Sequence, residues 1–272
     1  MGKNCVRWLV LSAAPSHISR MSLLPALPMV SLDAEIHQLA RDHARANGPL
    51  MALLNRLGGG LEGQIDRLPA SLRQEIEKIT LNALTAAHAA AGQIARAPDM
   101  GRKGDLAAAM ASGALGGSGG LISSVAELPV TITLILHAIR REARAAGFDP
   151  ELASIRAACL EVFSSGTPLS DDDGVNAAFI STRLTMTGPA LQKLIATVAP
   201  RLAAAMGQKL AAQAVPVLGA VSGAALNAAY LRYFRELARI RFALMRLSIA
   251  YGAAPVLAAF AEATSAPRIT KA

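Results

Sequence analysis

The sequence predicts an all-α protein, a multi-helix bundle in which two Gly-rich apolar helical segments pack centrally. Hydrophobic residues make up 53% of the chain, but only 4% of residues are aromatic. Such an Ala-rich mixture suits close helix packing, because sheets draw on Val, Ile, Thr and aromatic residues. Apolar positions also recur at three- and four-residue steps, and no segment alternates apolar and polar residues as a half-buried strand does.

The chain of 272 residues is long enough for one large helical domain with a sizeable core. We expect an N-terminal tail over 1–30, a single helical domain over 31–265, and a C-terminal tail over 266–272. The apolar stretch 8–14 follows two basic residues and resembles a weak secretory signal, but it is too short to favour one over a disordered tail. Three methionines are candidate start sites: Met1, Met21 and Met29.

The first helices are predicted from capping residues and breakers. Ser31-Leu32-Asp33 offers a helix start, and Asn47-Gly48-Pro49 predicts its end, followed by a short helix from Leu50 to Leu57. Ser71 with Gln74 resembles a capping box, and it opens a long helix with an apolar stripe to Ile94. The segment 98–104 is predicted to be a basic turn or linker.

Two long runs carry no charged residue, one over 106–126 and one over 210–231. Each is long enough by residue count to cross a bilayer, although the second contains Pro216 and Asn227. Between them, Asp149-Pro150-Glu151 predicts a helix start, 164–174 an exposed loop, and Ala177–Met186 a short helix. Another helix is expected from Pro189, kinked at Pro200. The chain then closes with a charged helix over 232–250 and a short apolar tail.

Small residues in the uncharged runs are spaced for close helix contact. They form three GxxxG pairs: Gly113–Gly117, Gly116–Gly120 and Gly219–Gly223. Without side chains at these positions, two helix backbones can approach and gain van der Waals contact. The spacing suits a membrane helix, and it suits close packing inside a soluble Ala-rich bundle as well.

Basic stripes follow both uncharged runs. His137, Arg140, Arg141 and Arg144 share one helical face, opposite an apolar face. The second stripe consists of Arg232, Arg235, Arg239 and Arg246. A cationic face beside an apolar one suits a helix at an anionic lipid surface, so these arginines are candidate lipid contacts. The alternative is the solvated outer face of a bundle helix.

Glu127 stands in apolar surroundings, where an ionised carboxylate without a partner is costly. Two explanations are open: it meets an arginine from another helix, or it caps a helix that begins at Pro129. The second is favoured, because an acidic residue followed by proline is typical of a helix start.

The formal net charge of +8 suggests an anionic partner. Phospholipid is favoured over nucleic acid, because the basic residues flank long uncharged runs and are neither clustered densely nor interleaved with aromatic residues. The two cysteines, Cys5 and Cys159, lack the spacing of a zinc site or a disulfide framework, so a reducing compartment is expected. We expect no cofactor and no metal.

Several motifs occur in a fixed order and resemble the signature of the EcsC family. They are Gly116-Gly117-Ser118-Gly119-Gly120-Leu121, Ala126-Glu127-Leu128-Pro129, His137-Ala138-Ile139-Arg140-Arg141, Gly147-Phe148-Asp149-Pro150-Glu151, and a later block from Val215 to Asn227 that includes Pro216. The resemblance covers roughly Glu75 to Gly252. Glu127 stands where the family usually has Asp, and Ala146 where Tyr is common.

The resemblance implies an association with an ABC transport system linked to secretion, and therefore a membrane protein as a candidate partner. It implies no catalytic residue, because none is assigned in the family.

Motifs of the common enzyme classes are weak in this chain. Gly116 to Gly120 satisfies the pattern GxSxG around Ser118, but a nucleophile elbow needs a preceding strand, and none is predicted. The run Asp171-Asp172-Asp173 lacks the alternating ligands of a calcium loop. HExxH and GxxxxGK are absent from the sequence.

We therefore expect a membrane-associated helical accessory protein on the cytoplasmic face, bound to anionic lipid and without a recognisable catalytic site. Two alternatives stay open. One is a soluble, cytoplasmic helical domain that binds another protein. The other is a hydrolase of unrecognised type that uses Ser118, Glu127 or His137.

Overall fold

Eight helices and no strand make up the part of the chain that the structure describes, which confirms the all-α prediction. The structure is a computed structural model, and it describes residues 31–58, 69–89, 100–164, 188–213 and 219–265. The helices are α1 (Leu32–Gly58), α2 (Ala70–Ala89), α3 (Gly101–Ser118), α4 (Gly120–Ala145), α5 (Ala153–Ser164), α6 (Gly188–Gln213), α7 (Gly219–Tyr251) and α8 (Ala253–Ser265).

The first helix begins at Leu32, as the capping residues predict, but it is longer than expected. It runs through Asn47-Gly48-Pro49 and ends at Gly58, so the predicted break and the separate helix from Leu50 are wrong. Proline inside a helix removes one backbone hydrogen bond and commonly bends the helix without ending it. The other predicted starts are close: α2 begins one residue before Ser71, and α6 begins one residue before Pro189 and continues through Pro200.

The first uncharged run does not form one helix, because it turns back on itself at Gly119. Gly120 has a φ of +74°, a conformation that side-chain-bearing residues rarely adopt, and it opens the next helix. Helices α3 and α4 therefore form an antiparallel hairpin whose turn lies in the middle of the run. The predicted linker over 98–104 is also helical from Gly101 onwards.

Helix α4 continues through Pro129, so the prediction that a helix begins there is wrong. Among the described residues, the segment Ile122–Ala145 of this helix is the one candidate long and apolar enough to cross a membrane, with a mean hydropathy of 1.7. Half of that segment is buried inside the bundle. Its buried apolar side chains include Leu128, Ile132, Ile135 and Ile139. Core helices of soluble proteins are often as long and as apolar as this segment. Its length and composition therefore do not distinguish a membrane-spanning helix from a core helix of a soluble bundle.

The larger hydrophobic core joins α2, α3, α4, α5, α6 and α7. Aromatic residues are few but central to it: the rings of Phe163 and Phe234 lie 5.2 Å apart, and Tyr230 is fully buried and donates a hydrogen bond to the carbonyl of Ala205. Cys159 is a free, buried thiol whose pKa is raised to about 12 by burial, so it is unreactive at neutral pH. A smaller core joins α1, α7 and α8.

Glycines end two of the long helices in the left-handed conformation that favours this residue. Gly147 follows α4 with a φ of +90°, and Gly252 follows α7 with a φ of +91°. After Gly147, the residues that predict a helix start form a turn. In this turn the backbone amide of Glu151 donates a hydrogen bond to the carboxylate of Asp149 at 2.9 Å. Helix α5 begins two residues after Glu151.

Several predicted features lie outside the described residues: the tails over 1–30 and 266–272, the apolar stripe from 90 to Ile94, positions 98 and 99 of the predicted linker, the predicted loop from 165 to 174, the short helix Ala177–Met186, and Pro216. The charged helix over 232–250 is continuous with the end of the second uncharged run, because α7 begins at Gly219. The apolar tail beyond it forms α8.

Helices α3 and α7 approach each other closely where they cross. A Cβ atom placed on Gly113 would lie 2.2 Å from the carbonyl oxygen of Gly223 and 2.8 Å from Cγ of Asn227. Neither the backbone nor a buried asparagine can move away cheaply, so only glycine fits at this crossing. Gly113 of the first uncharged run thus packs directly against Gly223 of the second, and both glycines belong to GxxxG pairs.

We predict that Gly113→Ala lowers the free energy of unfolding by about 1–3 kcal/mol or more, because the added methyl group overpacks the crossing. Urea denaturation followed by circular dichroism measures this change. Gly207→Ala in α6 is the matched control, since nothing lies within 4 Å of the added atom and alanine favours a helix. Equal stability of the two variants would contradict the close crossing.

Candidate functional site

A buried carboxylate joins four helices beneath the α3–α4 turn. Oε2 of Glu127 accepts a hydrogen bond from Nζ of Lys209 at 2.6 Å. Its Oε1 accepts from the hydroxyls of Ser112 and Thr131, and from Nδ2 of Asn227 at 2.9 Å. We call these five residues the Glu127 cluster.

The helices position these groups in a regular way. Thr131 lies one turn after Glu127 on α4, so the two side chains share a face, and its hydroxyl also accepts from Lys209 at 3.1 Å. Ser112 comes from α3, Lys209 from the last turn of α6, and Asn227 from the uncharged part of α7. The cluster therefore connects segments that are up to 115 positions apart in the sequence.

Glycine makes room for the glutamate. A Cβ atom on Gly116 would lie 3.0 Å from both Cβ and Cγ of Glu127, so a larger residue there would push the carboxylate away. The carbonyl of Gly116 also accepts a hydrogen bond from Ser124 at 2.9 Å, which ties the end of α3 to the first turns of α4.

Both charged groups of the cluster are removed from water. Lys209 is 0% exposed and Glu127 8% exposed. Burial on its own raises the pKa of Glu127, but the positive charge of Lys209 and the donated hydrogen bonds outweigh it and hold that pKa below its ordinary value. Burial lowers the pKa of Lys209, and the attraction of Glu127 opposes that shift.

The preferred explanation of Glu127, a helix cap at Pro129, is wrong. The residue lies in the interior of α4, where the first-turn argument does not apply. The other explanation was right that it needs a cation from another helix, but that cation is a lysine, not an arginine. Sequence reasoning missed Lys209 altogether, together with Ser112 and Thr131. The sequence offers one signal for Lys209, since this lysine directly precedes the uncharged run over 210–231.

In this conformation the cluster is a closed structural site. Its ion pair is shielded from solvent, and each oxygen of Glu127 already accepts at least one hydrogen bond. Removing one partner of such a pair leaves a buried charge that costs several kcal/mol, so the cluster fixes how the four helices pack. Oδ1 of Asn227 is buried without a hydrogen-bond partner in the described structure.

The arginines of the first stripe face inwards more than expected. Arg140 is buried and pairs with Glu151, while Arg141 pairs with buried Asp105 at 2.5 Å. Arg144 is more exposed, and its guanidinium lies 3.7 Å from Glu151.

The arginines of the second stripe vary in exposure. Arg232 is exposed and Arg235 half-buried. Arg239 pairs with Asp42 and Glu236, and Arg246 is exposed and pairs with Glu35 of α1. Of the seven predicted lipid contacts, Arg144, Arg232 and Arg246 thus lie most openly on the surface.

Large aliphatic side chains are exposed at the turn end of the α3–α4 hairpin. Leu115 is 73% exposed, Ile122 87% and Val221 69%. Leu115 lies two residues after Gly113 and Val221 two residues before Gly223, so the contact of these glycines places both near the same end. Ile122 lies just after the turn. We call these three residues the apolar tip.

The remaining glycine positions are distributed around this end. Gly117 is buried on α3, Gly120 forms the turn, and Gly219 begins α7.

The candidate hydrolase residues do not form a recognisable catalytic arrangement. Ser118 is the last residue of α3 and donates to the carbonyl of Leu115, so a helix precedes it where a nucleophile elbow needs a strand. Nδ1 of His137 lies 3.6 Å from Oδ1 of Asp105, a different carboxylate from that of Glu127. Within the described ranges, no group of three or more His, Cys, Asp or Glu residues is placed to hold a metal ion.

We predict that Lys209→Met lowers the free energy of unfolding by about 3–5 kcal/mol, because it leaves the charge of Glu127 buried without its partner. Lys193→Met is the matched control, since this lysine is exposed on the same helix. Denaturant unfolding of both variants measures the difference. Similar stability of the two variants would show that the ion pair does not hold the fold.

Stability should also depend on pH through Glu127. Because its folded pKa lies below its ordinary value of 4.5, the ionised cluster stabilises the fold above that pH. This contribution is lost as the pH falls through the folded pKa. We therefore expect the stability difference between the wild-type protein and Glu127→Gln to be largest near neutral pH and to shrink below about pH 4.5. A difference that stays constant with pH would contradict the assigned ionisation.

Comparison with known proteins agrees with the motifs of this site. No curated protein and no solved structure matches the chain significantly. A family model described as the EcsC protein family matches residues 65–247. That range includes the Gly-rich hairpin, all five residues of the Glu127 cluster and most of α7, and it covers well over half of the chain. The chain therefore belongs to the EcsC protein family.

Proposed function

We propose that this EcsC family protein is a membrane-associated helical accessory protein, attached to the cytoplasmic face of a membrane through its apolar tip. The observation that carries the proposal is the exposure of Leu115, Ile122 and Val221 at one end of the bundle. Exposed aliphatic side chains gathered at one place commonly mark a protein or membrane contact.

The residues around the apolar tip support shallow insertion. The run 106–126, which forms the hairpin end, contains no charged residue, and neither does 210–231. If the tip inserts into a bilayer, these two runs therefore bring no charged side chain into its hydrocarbon region. Transfer of apolar surface from water gains about 25 cal/mol per Å². Glu127 and Lys209, which lie beneath the tip, are already paired with each other and shielded from solvent.

Electrostatic attraction supports the same proposal. The net charge of +8 favours an anionic surface, and each basic residue close to such a surface contributes about 1 kcal/mol. Among the predicted contacts, Arg232 is exposed and lies about 16 Å along α7 from Val221, so it is the best placed to add to attachment through the tip. Arg144 and Arg246 are exposed toward the opposite end of the bundle, and Arg140 and Arg141 are held inside the protein. The resemblance to a transport-associated family suggests a membrane protein of the ABC-transporter type as a partner at the same membrane.

A second candidate function is a soluble domain that docks the apolar tip on another protein. Its support is that α4, the one membrane-span candidate in the described residues, is half buried in the bundle core and so has a sufficient explanation without a membrane. The two candidates differ in whether the purified protein binds lipid on its own.

Cell fractionation tests the proposal in the natural setting. Cells that express the chain are lysed, and the membrane pellet is washed with high salt and then with alkaline carbonate. Recovery in the pellet supports the membrane proposal: release by salt indicates attachment by charge, and resistance to salt with release by carbonate indicates a shallow apolar contact. Recovery in the soluble fraction alone would favour the protein-docking function.

We predict that Leu115→Ser/Ile122→Ser reduces flotation of the purified protein with vesicles of phosphatidylcholine and phosphatidylglycerol by about tenfold or more. The reason is that two aliphatic side chains would no longer insert into the bilayer. The matched control is Leu152→Ser/Ile249→Ser, which removes two exposed aliphatic side chains elsewhere on the surface. Equal losses in both double variants would contradict a specific role for the tip.

A further inference from the structure

The apolar tip is the end of a longer uncharged face on helix α3. The exposed residues that precede Leu115 on this helix are Ala111, Met110 and Ala107, and they lie at three- and four-residue steps along one face. In the same direction, the next exposed residue is Lys103. The outward face of α3 is therefore free of charge from the tip to Lys103, which lies about 18 Å along the helix from Leu115.

Helix α4 presents a similar face. Its exposed residues after Ile122 are Ala126, Pro129 and Val130. Val130 is 50% exposed, although it lies about 12 Å along the helix from Ile122. The charged residue of this stretch, Glu127, turns inwards to its cluster. Both helices of the hairpin therefore expose uncharged and largely apolar side chains well beyond the tip.

Helix α7 runs beside α3 in the opposite direction. Near the tip, Gly113 of α3 packs against Gly223 of α7. Toward the other end, Arg102 of α3 and Arg239 of α7 line one groove. The start of α3 therefore lies beside the later part of α7, and distances from the tip can be compared on the two helices.

Arg232 on α7 corresponds to Lys103 on α3. It is the next exposed residue after Val221, and it lies about 16 Å along the helix from that residue. Lys103 and Arg232 thus end the uncharged faces of neighbouring helices at similar distances from the tip. We call these two residues the basic border.

The charges of the basic border are available to a group outside the protein. Both side chains are exposed, and neither forms an ion pair with another residue in the described ranges. The arginines of the same hairpin, Arg102, Arg141 and Arg144, each contact a carboxylate instead. The basic border is therefore better suited to bind the phosphate groups of lipids than these paired arginines are.

The distance from the tip to the basic border matches one leaflet of a bilayer. The hydrocarbon core of a typical bilayer is about 30 Å thick, so each leaflet contributes about 15 Å. When the tip reaches the middle of the bilayer, Lys103 and Arg232 lie about 16–18 Å from it, among the headgroups of the near leaflet. Deeper insertion would bring both charged side chains into hydrocarbon, which is costly.

We propose that the α3–α4 hairpin and the start of α7 insert into one leaflet of the membrane, and that Lys103 and Arg232 stop the insertion by binding lipid phosphate groups. This inference rests on the proposed attachment through the apolar tip. It extends the lipid-contacting surface to Met110 and Val130, adds Lys103 as a headgroup contact, and fixes the depth. The protein is anchored from one side, and none of these helices crosses the bilayer.

Depth-dependent fluorescence quenching with the full chain tests this arrangement. An environment-sensitive fluorophore is attached to Ile122→Cys, Val130→Cys or Lys193→Cys, each in a chain that also carries Cys5→Ser. Cys159 is left in place because it is buried and unreactive. The vesicles contain phosphatidylcholine, phosphatidylglycerol and a lipid with a nitroxide quencher at a deep or a shallow position of its acyl chain.

We expect the deep quencher to act more strongly at position 122 and the shallow quencher at position 130, since Val130 lies about 12 Å closer to the headgroups. Lys193 is exposed near the start of α6, so position 193 is the control and should be quenched by neither lipid. Flotation with quenching at position 122 alone would overturn the one-leaflet depth but keep the attachment through the tip. Absence of both flotation and quenching would overturn the proposed function together with this inference.

Charge reversal tests the basic border separately. Lys103→Glu/Arg232→Glu should reduce flotation about tenfold or more, because two attractive contacts with anionic headgroups become repulsive. The matched control is Arg45→Glu/Lys193→Glu, which changes the net charge equally at exposed positions on α1 and α6. Equal losses in the two double variants would overturn the role assigned to Lys103 and Arg232.

Discussion

The ionised carboxylate of Glu127 inside the bundle is the constraint on which the rest of the structure depends. A buried carboxylate is tolerated only with a cation and hydrogen-bond donors around it, and here they come from α3, α4, α6 and α7. The four helices must therefore meet in one register. Glycines at 113 and 116 follow from the same requirement, because the helices and the glutamate side chain need that space. The Gly-rich motif and the motif around Glu127 therefore pack against the later block that contains Gly223 and Asn227.

This arrangement divides the molecule into two ends with different chemistry. Around the α3–α4 turn the chain is uncharged and exposes aliphatic side chains. At the other end of the hairpin, arginines and carboxylates from α1, α3, α4 and α7 form ion pairs around a groove. Helix α7 is 33 residues long and contributes to both ends.

Much of the fold was predictable, because it depends on local signals. Composition and periodicity identified the helices, and capping residues placed the starts of α1, α2 and α6 within a residue. The site was less predictable, because its contacts are distant in sequence: Glu127 meets Lys209 across 82 positions. Local rules gave the wrong answer at Pro129 and Pro49, where helices continue through a proline. They also placed Arg140 and Arg141 on an outer face, because periodicity alone does not show that acidic residues of neighbouring segments cover that face.

A double-mutant cycle of Glu127→Met and Lys209→Met tests the central constraint most directly, since both substitutions keep the approximate shape of the side chains. Each single variant leaves one charge buried, whereas the double variant removes both. We expect the double variant to be more stable than the sum of the single losses predicts, by about 2 kcal/mol or more. Additive losses would contradict the account, because they would mean that the two charges do not interact and that the four helices are held together by other contacts.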